Sequence, residues 1–274
     1  MQKNIAQPLV SIIMPLYNCE RYVEEAIESL TNQTYQNLEI IVIDDRSTDN
    51  SWTILQAIAK KDSRIKPFRN KVNMRQTRTR NFGISQATGE YLGFLDSDDA
   101  RDVTSIGKQV AYLEQHKDVI VVGVGAELCD EKMKYLNNRF YPTNDKEIRQ
   151  KFFRYSPFCL ASVLIRAKFL KSDPFRVEME PAEDLDLSLR LGRQGKLANL
   201  SEAMYKIRTH KHSVTQSYVR VMEKKTLYIR IKAVFEYGYV MTFSDKIYFI
   251  LQLITMYLMP SRFRFWLFNK LRSS

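Results

Sequence analysis

Gly89-Glu90-Tyr91-Leu92-Gly93-Phe94-Leu95-Asp96-Ser97-Asp98-Asp99 sets an apolar run directly against three aspartates in four residues. Gly89 marks a turn, and residues 91–95 read as a short buried strand. A strand that delivers carboxylates at its carboxyl end places them where open α/β sheets bind ligands. Carboxylates this close repel one another unless a cation lies between them. Mg²⁺ and Mn²⁺ take oxygen ligands and usually share them with substrate phosphates. A solvated acidic turn capping the next helix is the simpler account of an isolated D-x-D, so the rest of the chain has to decide.

Upstream of this stretch, strands and helices alternate. Residues 9–14 form a β-branched apolar run stopped by Pro15 and Asn18, and apolar residues at 22, 23, 26, 27 and 30 follow helical spacing. Residues 38–43 read as a second strand ending in Asp44-Asp45. Ser47 to Ser51 offers N-caps for a helix reaching Lys61. Residues 65–68 read as a third strand, residues 74–87 as a helix, and the strand ending at Asp96 follows. This β-α-β-α-β-α-β order predicts a parallel sheet with right-handed crossovers. The first loop, Pro15-Leu16-Tyr17-Asn18, has no glycine, and the chain carries neither G-x-G-x-x-G after that strand nor G-x-x-x-x-G-K. Both absences argue against a dinucleotide-binding dehydrogenase and a P-loop NTPase. Downstream, residues 103–115 and 147–153 read as helices, and residues 119–124, 160–165, 197–200 and 203–207 as strands. The 127–141 segment fits a hairpin or an irregular crossing. A helix begins near Pro181 with acids in its first turn.

The 274 residues suffice for one large domain or a domain with an appendage. Cys19, Cys129 and Cys159 are odd in number and far apart. They predict no disulfide framework or zinc site, and a reducing compartment. The first seven residues are short and polar, unlike a signal peptide. The formal net charge is +11, and residues 220–272 hold ten Lys/Arg against three acids, or +7.

Several motifs now stand in order: V-S-I-I-M-P-L-Y-N at Val10, D-D-R-S-T-D at Asp44, N-M-R-Q-T-R-T-R-N-F-G at Asn73, the stretch from Gly89, Glu183-Asp184, and Arg208-Thr-His210-Lys-His-Ser213. Together they resemble glycosyltransferase family 2, the inverting enzymes of GT-A fold, over residues 8–215. The resemblance implies a Rossmann-like, mixed but mainly parallel sheet flanked by helices. It implies a catalytic domain at 1–215 and a helical, amphipathic extension at 216–274.

It also implies roles. Pro15, Leu16 and Tyr17 would lie under the nucleotide base and ribose, with Asp45 hydrogen-bonding a uracil. Arg46 stands where the family often has glycine. Arg75 and Arg80 would lie near the nucleotide, where arginine forks suit a diphosphate. The Asp96-Ser97-Asp98 run would hold Mn²⁺ or Mg²⁺ on the diphosphate, with Asp98 the direct ligand. His210 would stand near that metal, with His212 as a competitor. Asp184 would be the general base that takes the acceptor hydroxyl's proton, chemistry an inverting transfer requires. Asp186 could face either way. No Q-x-x-R-W motif accompanies Trp52 or Trp266, so one sugar per encounter is expected.

The extension carries a 13-residue apolar run at 247–259, short of the about 20 residues a span needs. Residues 260–272 then interleave cations with Phe263, Phe265, Trp266 and Phe268, as interfacial helices do. The expected partners are a nucleoside-diphosphate sugar, UDP-linked, and a lipid-linked glycan acceptor in bacterial O-antigen, capsule or lipopolysaccharide assembly. The expected location is the inner face of the cell membrane. Packing of the tail on the catalytic domain or a second subunit is the competing account. No nucleic-acid motif accompanies the positive charge. The rival functions are a non-catalytic, membrane-docked nucleotide-sugar-binding protein and a sugar nucleotidyltransferase.

Overall fold

A computed structural model describes residues 7–209, 219–260 and 263–264. Its first half is the expected alternation. Strands β1 (Val10–Leu16), β2 (Leu38–Asp44), β3 (Ile65–Arg69) and β4 (Tyr91–Phe94) run parallel in the order β3-β2-β1-β4. Helices α1 (Val23–Thr31), α2 (Ser51–Ala59) and α3 (Arg75–Gln86) make the crossovers. β1 and β2 are buried on both faces, which accounts for their near-continuous apolar sequence. Val10, Ile12, Met14 and Val42 face one core with α1, α2 and α4 (Ser105–Gln115). Ile13, Ile41 and Ile43 face the other.

Pro15 does not stop β1, contrary to expectation; the strand continues through it to Leu16, in register with Ile43 and Asp44 of β2. In β1 the carbonyl of Ile13 points to the β4 side, where it accepts from Leu95, and that of Leu16 points to the β2 side, where it accepts from Asp45. Pro15 shares the side of Ile13, and β4 has already ended at Phe94, so its missing N–H leaves no ladder bond unmade. Pro67 sits in β3, the edge strand, where proline is also tolerated.

Beyond β4 the sheet turns mixed, in the order β4-β8-β6-β9-β5. Here β5 is Ala100–Arg101, β6 Val119–Cys129, β8 Leu164–Arg166 and β9 Lys196–Arg208. β8 is antiparallel to β4 and β6, while β9 is parallel to β6. β6 extends five residues past its expected end, and its far end pairs with β7 (Tyr135–Arg139), so the 127–141 segment is a hairpin. The two strands expected at 197–207 are one, because register shifts against β6 absorb the irregular middle. The strand expected at 160–165 is shorter: Leu160–Ser162 is a 3-10 turn that leads into β8. Among the described residues the remaining α-helices are α5 (Asp145–Lys151), α6 (Glu183–Gly192), α7 (Val219–Phe235) and α8 (Phe243–Leu258).

Two glycines set the approach to the strand ends. A Cβ on Gly83 would lie 2.5 Å from Ile13 Cγ2, so its absence lets α3 press onto the sheet. A Cβ on Gly89 would lie 2.5 Å from Ser11 Oγ, which instead accepts from the Gly89 N–H at 2.8 Å. Buried Glu39 accepts from Ser11, Thr88 and Gly89 and pairs with Lys66. Burial opposes its charge, but these partners win and hold its pKa down at about 2.

The extension shares the second core. Ile229 and Ala233 of α7, and Tyr237 after it, pack with Leu185 and Leu189 of α6. Tyr237 donates to Asp186 at 2.8 Å, and Tyr239 donates to the Leu189 carbonyl at 2.9 Å. Thr242 and Asp245 form a reciprocal cap at the start of α8.

Candidate active site

The carboxyl ends of β1, β2 and β4 lie side by side, so the loops after Leu16, Asp44 and Phe94 share one rim. The β1 and β2 loops are clasped. The Asn18 N–H donates to Ser47 Oγ at 3.0 Å, and Asn18 Oδ1 accepts from the Thr48 N–H at 2.8 Å. Asn18 and Arg46 have φ of 49° and 65°. Arg46 thus adopts the left-handed conformation that glycine takes most readily, at a cost of about 1 kcal/mol or more.

The two aspartates at the end of β2 divide their work. Asp44 is fully buried, pairs with Arg69 at 2.8 Å and accepts from the Ser47 N–H. Asp45 takes two bonds through a single oxygen: Oδ1 accepts from Asn70 Nδ2 and from the Met74 N–H, both at 2.7 Å. Pro15 is half-buried, Leu16 buried and Tyr17 exposed at the tip of β1.

Arg75 and Arg80 differ sharply. Arg75 is exposed, with φ 65°, at the first residue of α3. Arg80 is buried and gathers three carboxylates. Its Nη2 donates to Asp96 at 2.9 Å, and its Nη1 stands 3.4 Å from both Glu183 and Asp184. Burial works against the guanidinium charge, but Asp96, Asp184 and Glu183 together raise its pKa. The D-x-D strand end and the Glu183-Asp184 helix start therefore meet through one arginine. Gln76 also donates to Asp96, at 3.2 Å.

The first turn of α6 places its acids differently. The Glu183 side chain is buried, and burial followed by neighbouring Asp184 pushes its carboxyl up against the pull of Arg80. The Asp184 side chain is 41% exposed. Its pKa is also raised, by desolvation first and by Asp96, with Arg80 opposing. Asp186 faces inward and is fully buried, held by Tyr237 and by Arg190 at 2.8 Å. It anchors the extension rather than the reaction.

The three aspartates after β4 also divide. The Asp96 side chain is 32% exposed, and Asp98 is half-buried. Ser97 is buried, and burial pushes the nearby Cys19 thiol up to about 11. Asp99 turns inward to Tyr205, at 2.9 Å, and to the Arg208 N–H, at 2.8 Å. Burial, Asp98 and Asp96 hold its carboxyl well above the ordinary range.

Arg208 was not among the expected site residues, yet it fastens the acidic loop. Its Nε donates to the Asp98 carbonyl at 2.7 Å, its Nη1 to the Glu131 carbonyl at 2.6 Å, and its Nη2 to Glu25 at 2.6 Å. The signal was its position at the head of Arg208-Thr-His210. Two and four residues further on, His210 and His212 lie outside the described residues.

Among the described residues no three His, Cys, Asp or Glu side chains converge as a metal cage. The accessible donors, Asp96 and Asp98, are carboxylates at a strand end. That set fits a hard cation held by one or two carboxylates with phosphate oxygens completing its shell. It does not suit a zinc site.

A model of glycosyl transferase family 2 matches residues 11–172. The putative glycosyltransferase EpsE of Bacillus subtilis is 39% identical over 207 residues, covering 73% of each chain. The UDP-Glc:alpha-D-GlcNAc-diphosphoundecaprenol beta-1,3-glucosyltransferase WfaP of Escherichia coli is 43% identical over 109 residues, 40% of this chain and 43% of that one. Among solved structures, S. aureus TarS in complex with UDP-GlcNAc superposes with a TM-score of 0.69 at 21% identity, covering 90% of this chain and 72% of that one. The mannosyltransferase PcManGT of Pyrobaculum calidifontis, in complex with GDP-Man and Mn²⁺, gives 0.65 at 15% identity, covering 93% and 71%. The mixed sheet with flanking helices is the GT-A fold. The motifs, the fold and the family match agree: the chain is a glycosyltransferase and belongs to glycosyl transferase family 2.

Proposed function

We propose that the protein is a metal-dependent, inverting transferase. It moves one sugar from a UDP-sugar to a hydroxyl of a lipid-linked glycan during assembly of a bacterial surface polysaccharide. The observation that carries this reading is the meeting of Asp96 and Asp184 on Arg80, which puts a diphosphate-side carboxylate and a candidate base within one cluster. Asp45 would accept from a uracil N–H, its Oδ1 already fixed by Asn70 and Met74. Tyr17, exposed at the β1 tip, would cover the base, and Arg75 would reach the diphosphate. Asp98 and Asp96, with His210 as the expected third group, would hold Mn²⁺ or Mg²⁺, whose positive charge would offset that of the diphosphate. Asp184 accepts the acceptor hydroxyl's proton as that oxygen bonds C1 from the face opposite the departing diphosphate. The raised pKa of Asp184 suits it to hold that proton.

Two features of the relatives support the finer parts. WfaP, by its name, takes UDP-Glc and a diphosphoundecaprenol-linked acceptor. PcManGT is in complex with GDP-Man and Mn²⁺. A membrane-borne acceptor would place this enzyme on the inner face of the cell membrane, docked through its extension.

Donor turnover tests the reading. With UDP-, GDP- and dTDP-sugars, we expect UDP release from one UDP-sugar with Mn²⁺ and none with EDTA. Asp184→Asn should lower transfer by about 10²- to 10⁴-fold with donor affinity by calorimetry unchanged. Retained turnover would remove Asp184 as base. Pyrophosphate release from a nucleoside triphosphate would point to a nucleotidyltransferase. UDP binding without turnover of any donor, with lipid-linked acceptor supplied, would point to a binding protein.

A further inference from the structure

α8 leaves much of its apolar surface outside. The side it turns to the protein mixes polar anchors with half-buried Tyr248, Phe249 and Met256: Asp245 pairs with Arg154 at 3.2 Å, and Gln252 accepts from Arg230 at 2.7 Å. The side it turns to solvent is apolar. Phe243, Ile247, Ile250, Ile254, Tyr257 and Leu258 fall at i, i+4, i+7, i+11, i+14 and i+15, one face of a 3.6-residue helix. All six are exposed, Phe243 at 79% and Tyr257 at 90%. A helix surrounded by water buries its apolar stripe, so this face is made to be covered.

We propose that the outward face of α8 docks on an anionic lipid surface, lying in its plane. The proposal deepens the membrane-docked part of the proposed function and rests on it. At 16 residues α8 is about 24 Å long, short of a hydrocarbon core of about 30 Å. Among the described residues no helix is long and apolar enough to cross a membrane. Charge selects the occupant. Residues 220–272 carry ten Lys/Arg against three acids. Each of those acids is engaged: Glu223 with Arg264, Glu236 with Lys232, and Asp245 with Arg154. Lys246 on α8 and Arg220 and Lys224 on α7 are exposed. A second copy of this chain would bring the same cations against each other, and interface cores are poor in lysine. An anionic headgroup layer matches them, at about fivefold in partitioning per cation. This moves the docking element upstream of the 260–272 segment, of which only Pro260, Phe263 and Arg264 fall within the described residues. There Arg264 turns back to pair with Glu223.

The test is vesicle co-sedimentation of the full chain with phosphatidylglycerol-containing or pure phosphatidylcholine vesicles. The parent should bind the anionic vesicles at least tenfold more tightly than the neutral ones, and lose that preference at high salt. Ile250→Asp/Ile254→Asp, both exposed, should lose at least tenfold in binding while keeping the parent's circular dichroism and its UDP-sugar hydrolysis. Val103→Asp, exposed elsewhere, should bind as the parent does. Equal binding by the double variant, or no binding by the parent, overturns the proposal. A parent dimer in light scattering that the double variant turns into a monomer assigns the face to a second copy instead. Absent hydrolysis in both proteins, with vesicle binding intact, would count against the catalytic reading alone.

Discussion

The strand-end cluster and α8 handle polarity in opposite ways. Around Arg80, charge is drawn inward and shared: one guanidinium bridges Asp96, Glu183 and Asp184. On α8 the polar groups also go inward, to Arg154 and Arg230, but large apolar side chains are left outside. Burying charge is costly even where it is paired, so it is done where geometry must be held. Exposing Ile and Phe is a cost in water alone, and it disappears where another surface covers them. The first region is built to position groups and the second to meet something.

The sharpest way to break this contrast is Arg80→Ala. It would leave buried Glu183 and half-open Asp184 and Asp96 without their shared cation, at about 3–5 kcal/mol by denaturant midpoint. Arg78→Ala, on the exposed side of the same helix, should stay within about 0.5 kcal/mol. Equal losses would mean that the cluster holds nothing special.

A pH profile sharpens the same point. Asp184 must be deprotonated to accept a proton, and its pKa is raised, so kcat/KM should fall as pH drops through a midpoint above the usual value of about 4. Arg80 opposes that rise, so Arg80→Met should move the acid limb to still higher pH, whereas Arg80→Lys keeps the charge and should move it less.

Tyr237→Phe probes the seam between the two regions. It removes one donor from buried Asp186 but leaves Arg190, and should cost about 1–2 kcal/mol in thermal or denaturant unfolding with kcat unchanged. A catalytic loss larger than the stability loss would show that the extension tunes the site through α6. The smallest effect is expected at Arg46. Arg46→Gly relieves a left-handed φ but frees the unfolded chain, so a gain below about 1 kcal/mol is expected in the same unfolding assay.

Much of the first half was legible because its signals are local. The acid-terminated strand, the Asp44-Asp45 turn and the helix carrying Arg75 and Arg80 are each read within a dozen residues, and their elements form with ends shifted by a residue or a few. Pro15 misled because a proline's effect depends on which neighbour its missing N–H would face. That was decided by β4 ending at Phe94. The single strand β9 misled because its pairing with β6 joins residues some 75 positions apart, where local apolar runs carry no information.

By itself, then, the sequence determined the order of strands and helices, the identity of the acidic strand end and the positive excess of the extension. Those follow from periodicity, turn chemistry and composition, which act between near neighbours. Only the tertiary structure decided which carboxylates meet. Arg80 reaches Asp96 across 16 residues and Glu183 across 103. It also decided that Asp99 and Asp186 turn inward while Asp184 stays open, and that α8 shows its apolar side to the outside. Those outcomes depend on which surfaces pack together, and an aspartate or an isoleucine does not specify its neighbours until the distant parts of the chain have closed around it.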